Sequence, residues 1–389
     1  MRLAERRLPG FWTGLLYLLL VLGFFVLAVR FTRGLGAVTN LSDRFPWGLW
    51  VGFDILCGVG LAAGGFAITT AVHVLNLKRF EPIVRPAVLT AFLGYALVVA
   101  ALLVDVGRPW NLWHPLVMWN PRSVMFEVSW CVTLYLTVLA LESAAMLFER
   151  LRWTRAARIQ RAATVPLVVA GAVLSTLHQS SLGAFYLIMP GKLHALWYTP
   201  WLPYLFFLSA VAAGLGMVIV ESRLSSKAFG RSLEMPLVAA VGRTLAVVLV
   251  LYGSLRALDL ARRGALADAL AGTRESAFFA LELGLGVLLP LALLAQPRVR
   301  RNARALSAAG LLVVAGFVVN RLNVSVTGLE GALGGHYVPA AGEVIVTLML
   351  VAAGFGLFAL AVKHLPVFGP RESPRLVEGG RRPVPAGAA

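Results

Sequence analysis

Ten stretches of this 389-residue chain are apolar almost without interruption: 11–31, 49–75, 86–106, 124–148, 162–188, 200–221, 237–258, 276–296, 304–320 and 342–364. A helix needs about 20 apolar residues to cross the roughly 30 Å hydrocarbon layer of a bilayer. Inside that layer backbone N–H and C=O groups find no water, so only helices and closed barrels span it. Runs of this length suit helices. The expected fold is therefore all-α integral membrane, with about ten transmembrane helices. Charged residues make up 14% of the chain, against about 25% in an ordinary soluble domain. No segment between the runs is long enough to fold alone.

The first run is too long for a secretory leader and lacks a small-residue cleavage site, so it is read as the first span. Residues 1–366 are expected to form one transmembrane domain. The Pro-, Gly- and Arg-rich residues 367–389 are expected to be a disordered cytoplasmic tail.

The formal net charge is +17. In a soluble protein that would raise nucleic acid as a partner. Here the basic residues lie in short segments between the runs, where they set orientation and meet anionic lipid, so the partner expected is the bilayer and not nucleic acid. Clusters such as Arg150, Arg152, Arg155, Arg158 and Arg161 mark the cytoplasmic side. The asymmetry favours an even number of spans with both termini cytoplasmic.

An ionisable side chain in hydrocarbon is costly and is a functional candidate by default. Asp54, Asp105, Glu127 and His178 fall towards the outer ends of spans two to five. Arg321 is read as closing span nine on the same side. Glu142 lies in the inner half of span four, and Glu221 ends span six. Glu282, Glu343, His73 and His364 are read as helix-end residues that reach water. Asp105 with Arg108 suits either a helix-end ion pair or a working site.

Six histidines do not make a haem pattern, which needs two facing each other at similar depth. Only His178 lies well inside a run, so no haem is expected. The two cysteines, Cys57 and Cys131, cannot hold a four-cysteine iron–sulfur cluster, and no metal site is expected. Trp110, Trp113, Trp119, Trp197, Tyr198 and Trp201 read first as an interfacial aromatic belt. A partner surface beside a flat apolar ligand pocket is the sharper alternative.

Four segments carry a resemblance. Phe45-Pro-Trp-Gly-Leu-Trp-Val-Gly-Phe-Asp54, Val104-Asp-Val-Gly-Arg-Pro-Trp-Asn111, Ser123-Val-Met-Phe-Glu127 and Thr176-Leu-His-Gln-Ser-Ser-Leu-Gly183 resemble the membrane subunit of hydrogenase-2-type nickel–iron hydrogenases. That subunit belongs to the wider family of membrane anchors of polysulfide reductase and formate-dependent nitrite reductase. The likeness runs from about Leu35 to Pro366. It implies two four-helix bundles flanked by the first and last helices, in a bacterial inner membrane. It also implies a quinone-reactive subunit, with menaquinone the expected quinone and no metal centre of its own. The implied partners are a periplasmic ferredoxin-like iron–sulfur subunit and the nickel–iron hydrogenase large and small subunits.

Reducing a quinone takes two electrons and two protons, and histidine and carboxylates suit proton delivery. His178, Asp54 and Asp105 are assigned to the headgroup pocket, lined by Gln179 and Ser180, with Arg108 orienting Asp105. Glu127 would relay protons beside His178, and Glu142 and Glu221 would lead towards the cytoplasm. Three other readings compete. One is a quinol-oxidising anchor of a polysulfide, nitrite or other reductase. Another is a secondary transporter, though such proteins place charges and broken helices near the midplane. The third is a structural anchor with no quinone chemistry.

Overall fold

A computed structural model of the chain describes residues 10–230 and 232–368. Arg2, Arg6, Arg7, Arg231 and the tail beyond Phe368 lie outside the described residues. Ten long helices carry the apolar runs: α1 Gly10–Arg33, α2 Trp50–His73, α3 Lys78–Asp105, α4 Val124–Leu151, α5 Thr154–Leu187, α6 Leu202–Phe229, α7 Met235–Arg263, α8 Arg274–Ala295, α9 Ala303–Leu333 and α10 Ala341–His364. Among the described residues there is no strand. The shortest of these helices, 22 residues, reaches about 33 Å at 1.5 Å per residue, enough to cross the hydrocarbon layer.

Helices α2 to α5 pack in a ring, and α6 to α9 form a second ring. The rings meet where α6 lies against α2 and α5. Helices α1 and α10 pair with each other and rest on α2 and α3. This is two four-helix bundles with the first and last helices alongside. The connections after α1, α3, α5, α7 and α9 share one face, here the long-loop face. The short turns after α2, α4, α6 and α8 share the other, the basic face.

Polar caps set several helix starts. Ser123 accepts from the Phe126 N–H at 3.4 Å before α4, and Thr273 from the Ser276 N–H at 3.2 Å before α8. Asn302 accepts from the N–H groups of Arg304 (2.9 Å) and Ala305 (3.1 Å) before α9. Each oxygen satisfies donors that a helix start leaves without intrahelical partners.

The ninth span differs most from expectation. It runs to Leu333 instead of ending near 320. The Asn320-Arg321-Leu322-Asn323 stretch reads as a helix end because three of its four residues are strongly polar. The helix continues because the second bundle buries and pairs all three. Arg321 is therefore an interior residue.

Three helices contain wide π turns: Trp50–Ile55 opens α2, Gly284–Leu288 interrupts α8 and Asn323–Thr327 interrupts α9. Such turns are rare and concentrate at functional positions. The first and third touch each other across the bundles.

Small residues make the seam between bundles. A Cβ on Gly64 of α2 would lie 2.6 Å from the Gly214 carbonyl oxygen of α6. The backbones meet here because neither residue has a side chain. We expect Gly64→Leu to cost about 3 kcal/mol, the upper range for overpacking. Size-exclusion profiles of the detergent-solubilised protein should show the monodisperse peak lost; a wild-type profile refutes this.

On the basic face a strap holds the chain end. Arg85 makes a bidentate pair with Glu149 at 2.8 and 2.9 Å and donates to the Pro366 carbonyl at 3.0 Å. Val367, expected to begin the tail, is instead buried against Leu89 and Met146.

Candidate functional site

The π turn of α2 places Asp54 against α10, where Thr347 donates to its Oδ2 at 2.7 Å. Asp54 is buried, and its carboxyl lies within electrostatic reach of Asp105 at the end of α3. The cation beside Asp105 is not Arg108, which is exposed and forms no ion pair among the described residues. It is Arg30 of α1. The buried Arg30 guanidinium donates at 2.7 Å to the carbonyls of both Val104 and Val106, on either side of Asp105. Sequence proximity favoured Arg108; packing of α1 on α3 delivers Arg30 instead.

Glu343 does not reach water. It is 1% exposed and accepts from the Asn40 N–H at 2.8 Å and from the Tyr337 hydroxyl. Its own carbonyl accepts from the Trp50 indole at 3.1 Å. The α9–α10 loop and the α1–α2 loop are thus tied to the Glu343 carboxylate, and the π turn of α2 to its backbone carbonyl. This frame fixes where Asp54 points.

His178 lies deeper in the first bundle and is fully buried. Its Nδ1 is 2.9 Å from the Tyr95 hydroxyl of α3, and Tyr95 packs edge-on against Tyr135 of α4 at 4.6 Å between ring centres. The His178 Nε2 atom has no hydrogen-bond partner among the described residues. Gln179, also buried, donates to the Val59 carbonyl at 3.3 Å and leaves its Oε1 unpartnered. A buried polar atom without a protein partner calls for a ligand or water. Ser180 is half-buried and bonds its own helix, donating to the Thr176 carbonyl at 2.8 Å. The neighbouring Ser181 does more: its hydroxyl donates to Glu127 at 2.5 Å, joining α5 to α4 one turn from His178.

Glu142 and Glu221 lie in the halves of α4 and α6 nearer the basic face, apart from His178 and Asp54. The Glu142 Oε1 atom is buried without a partner among the described residues. Glu221 lines a crevice with Thr90, Ala87, Gly214 and Met217 that has room for about one water.

The second bundle holds a polar centre that sequence reading placed at helix ends. Arg321 is 0% exposed. Its guanidinium donates to the Phe206 carbonyl and the Ser209 hydroxyl, both at 3.0 Å, and lies 3.7 and 4.4 Å from the Phe206 and Phe317 ring centres. It also donates to the Asn320 side-chain oxygen at 2.5 Å, and the Asn320 amide donates to Glu282 at 2.7 Å. An asparagine therefore bridges cation and carboxylate. Glu282, 3% exposed, also accepts from Trp197 at 2.9 Å and Asn323 at 3.0 Å. It is not a snorkelling residue, and Trp197 is a buried partner instead of part of an aromatic belt. Trp110, Trp113 and Trp119 are exposed, as a belt requires, while His73 and His364 sit exposed at helix ends.

The histidines do not offer a facing pair of axial ligands. The five other histidines lie at helix ends or in loops: His73 and His364 close α2 and α10, and His114, His194 and His336 occupy the long-loop face. None can oppose His178 as a second axial ligand at its depth. Cys57 and Cys131 are both free and buried in apolar surroundings.

Sequence reading missed Arg30, Thr347, Tyr95, Tyr135, Ser181 and Asn320, and it read Trp197 as part of an interfacial belt. The two tyrosines had a usable signal: a phenol in the middle of an apolar run needs a buried partner. The others are set by tertiary packing alone.

Comparison with known proteins agrees with this architecture. Residues 37–330 match the family model described as polysulphide reductase, NrfD. A protein of Nitratidesulfovibrio vulgaris is 37% identical over 360 residues, covering 90% of this chain and 92% of that one. The probable Ni/Fe-hydrogenase 2 b-type cytochrome subunit of Escherichia coli is 34% identical over 357 residues, covering 90% and 91%. The menaquinone reductase integral membrane subunit of N. vulgaris is 28% identical over 391 residues, covering 93% and 92%. With ten spans in two bundles and a family match across most of its length, the chain belongs to the NrfD, polysulphide reductase family of membrane subunits.

Proposed function

We propose that this chain is the quinone-reactive membrane subunit of a respiratory nickel–iron hydrogenase complex in a bacterial inner membrane. It passes electrons from a periplasmic ferredoxin-like iron–sulfur subunit to menaquinone, with both termini in the cytoplasm. The long-loop face is then periplasmic, in keeping with the clusters of arginine on the opposite face. The observation that carries the reading is the concentration of Asp54, Asp105, Glu127 and His178 in the long-loop half of the first bundle, each on a different helix. The 34% identity to the E. coli hydrogenase-2 subunit supports the partner.

In this reading His178 and Gln179 present polar atoms that a quinone carbonyl can use, and Asp54 and Asp105 supply protons from the same half. Arg30 holds the Asp105 turn. Ser181 orients Glu127. Glu142 and Glu221 continue towards the cytoplasm. No haem takes part, because His178 has no opposing histidine.

The name of the N. vulgaris menaquinone reductase subunit favours a second reading, an anchor serving a different catalytic partner. Purification of the intact complex decides between them. Mass spectrometry should identify nickel–iron subunits, hydrogen should reduce 2,3-dimethyl-1,4-naphthoquinone, and pyridine haemochrome absorbance should be absent. Molybdopterin subunits in their place, or no quinone reduction, would overturn the proposal.

A further inference from the structure

The basic face is not uniform. Helix α5 is 34 residues long, about 51 Å, so it outlasts the roughly 30 Å hydrocarbon layer and its first turns stand at headgroup level. Its outward side changes character there. Arg155, Arg158 and Arg161 are exposed, and Val165, Val169 and Val173 follow on the same side in steps of four residues, 52%, 44% and 52% exposed. The change from arginine to valine marks where phosphates give way to acyl chains. Trp153, at the turn before α5, is 57% exposed with its ring stacked on Phe148 at 6.0 Å. Exposed tryptophan at the edge of the hydrocarbon sits among headgroups.

Further features single out this turn. Helices α6, α7 and α9 end on Gly230, Gly264 and Gly334 in the left-handed conformation, but α4 ends on Arg152 at φ 57°. A side chain is disfavoured there by contact between its Cβ and the following carbonyl oxygen. An arginine kept in a glycine position points to a use for its guanidinium. Helix α5 begins without a side-chain cap, unlike α4, α8 and α9, which leaves the positive end of its dipole open to an anion. Glu149 is the only carboxylate between residues 143 and 187, and Arg85 holds it in a bidentate pair. Arg152, Arg155, Arg158 and Arg161 form no ion pair among the described residues. The turn after α8 carries Arg298, Arg301 and Arg304 at the same spacing, but no tryptophan.

We propose that the α4–α5 turn is a binding site for one anionic phospholipid, its headgroup phosphate held by Arg152, Arg155, Arg158 and Arg161. Guanidinium forks pair with phosphate oxygens two at a time, which gives such a site direction as well as charge. Trp153 lies beside the glycerol backbone, and the acyl chains run along Val165, Val169 and Val173. Phosphatidylcholine offers the same phosphate, but its own ammonium competes with the arginines, so the site selects a headgroup with net negative charge. The net charge of the chain draws anionic lipid to the whole basic face; this turn orders a single molecule. The site is independent of the quinone-reactive reading.

The test titrates the full-length chain in dodecyl maltoside with dioleoylphosphatidylglycerol and counts bound lipid by native mass spectrometry. The first molecule should bind about tenfold or more tighter than dioleoylphosphatidylcholine. The triple variant Arg155→Gln, Arg158→Gln, Arg161→Gln should weaken that first binding by about a hundredfold, at roughly fivefold per arginine. The triple variant Arg298→Gln, Arg301→Gln, Arg304→Gln removes the same charge from the same face and should leave the first binding unchanged. Arg152→Gly removes a guanidinium and gives the left-handed position the residue it favours. It should weaken binding about fivefold, while Tm in lipid-free detergent holds or rises, a split that a merely structural Arg152 would not produce. If the two triple variants weaken binding alike, the attraction is that of overall charge and the site is overturned. Equal affinity for phosphatidylcholine, displacement of the lipid by equimolar inorganic phosphate, or wild-type affinity in both the α5 triple variant and Arg152→Gly would overturn it as well.

Discussion

Replacing Glu282 with leucine is expected to destabilise the folded protein by about 3–5 kcal/mol, the range for breaking a buried charge pair by removing one partner. Glu282 accepts from Trp197, Asn320 and Asn323, and Asn320 in turn accepts from Arg321. Leucine fills much of the volume but leaves three donors and a fully buried guanidinium without a countercharge. Nothing nearby can take over, since Arg321 has no carboxylate within ion-pair distance among the described residues. Thermal unfolding in detergent should show the loss as a large drop in Tm. Glu282→Leu combined with Arg321→Met should recover part of it, because a buried pair removed whole costs far less than a pair broken. A single variant that melts with the wild type would show that the bridge through Asn320 carries no stability.

The second large effect is on activity. His178→Ala is expected to lower naphthoquinone reduction by the intact complex by about 10²–10⁴-fold, the usual contribution of a positioned proton donor. The loss should fall on kcat, because His178 donates in the reduction step and a flat apolar ring owes most of its binding to the pocket walls. Asp54→Asn sharpens the assignment. Asparagine still accepts the Thr347 hydrogen bond, so the α2–α10 contact holds while the titratable proton is gone. A fall in rate there with unchanged Tm identifies Asp54 as a proton donor instead of a structural acceptor. If His178→Ala reduces quinone at the wild-type rate, the pocket lies elsewhere.

How legible all this was depends on what each feature rests on. The spans were legible because twenty apolar residues in a row leave a chain few alternatives. The end of span nine was not, because a polar stretch reads the same whether it meets headgroups or a prepared interior; only the positions of Glu282, Phe206 and Ser209 decide. Asp54, Asp105, Glu127 and His178 were legible as charges in the wrong solvent. Their partners were not. Thr347 lies 293 residues from Asp54, and Tyr95 showed only as a phenol in need of some buried partner, not as the partner of His178. Arg108 was chosen over Arg30 on chain proximity, which says nothing about helices brought together from opposite ends of the sequence.

The wide turns in α2, α8 and α9 bear on how this chain is compared with its relatives. A π turn holds one residue more than the α turn it replaces. Every side chain beyond it is therefore rotated by about 100° around the helix axis relative to an uninterrupted helix. In α9 this moves Glu330 onto the face where it meets Arg274 at 2.6 Å. A relative that lacks the extra residue would need a one-position gap at Asn323–Thr327 for the downstream residues to line up by direction. An ungapped alignment would pair residues of equal number that point to different neighbours. Insertions and deletions of single residues within these three short windows thus carry structural meaning, while the same gap in mid-helix elsewhere would scramble a packed face.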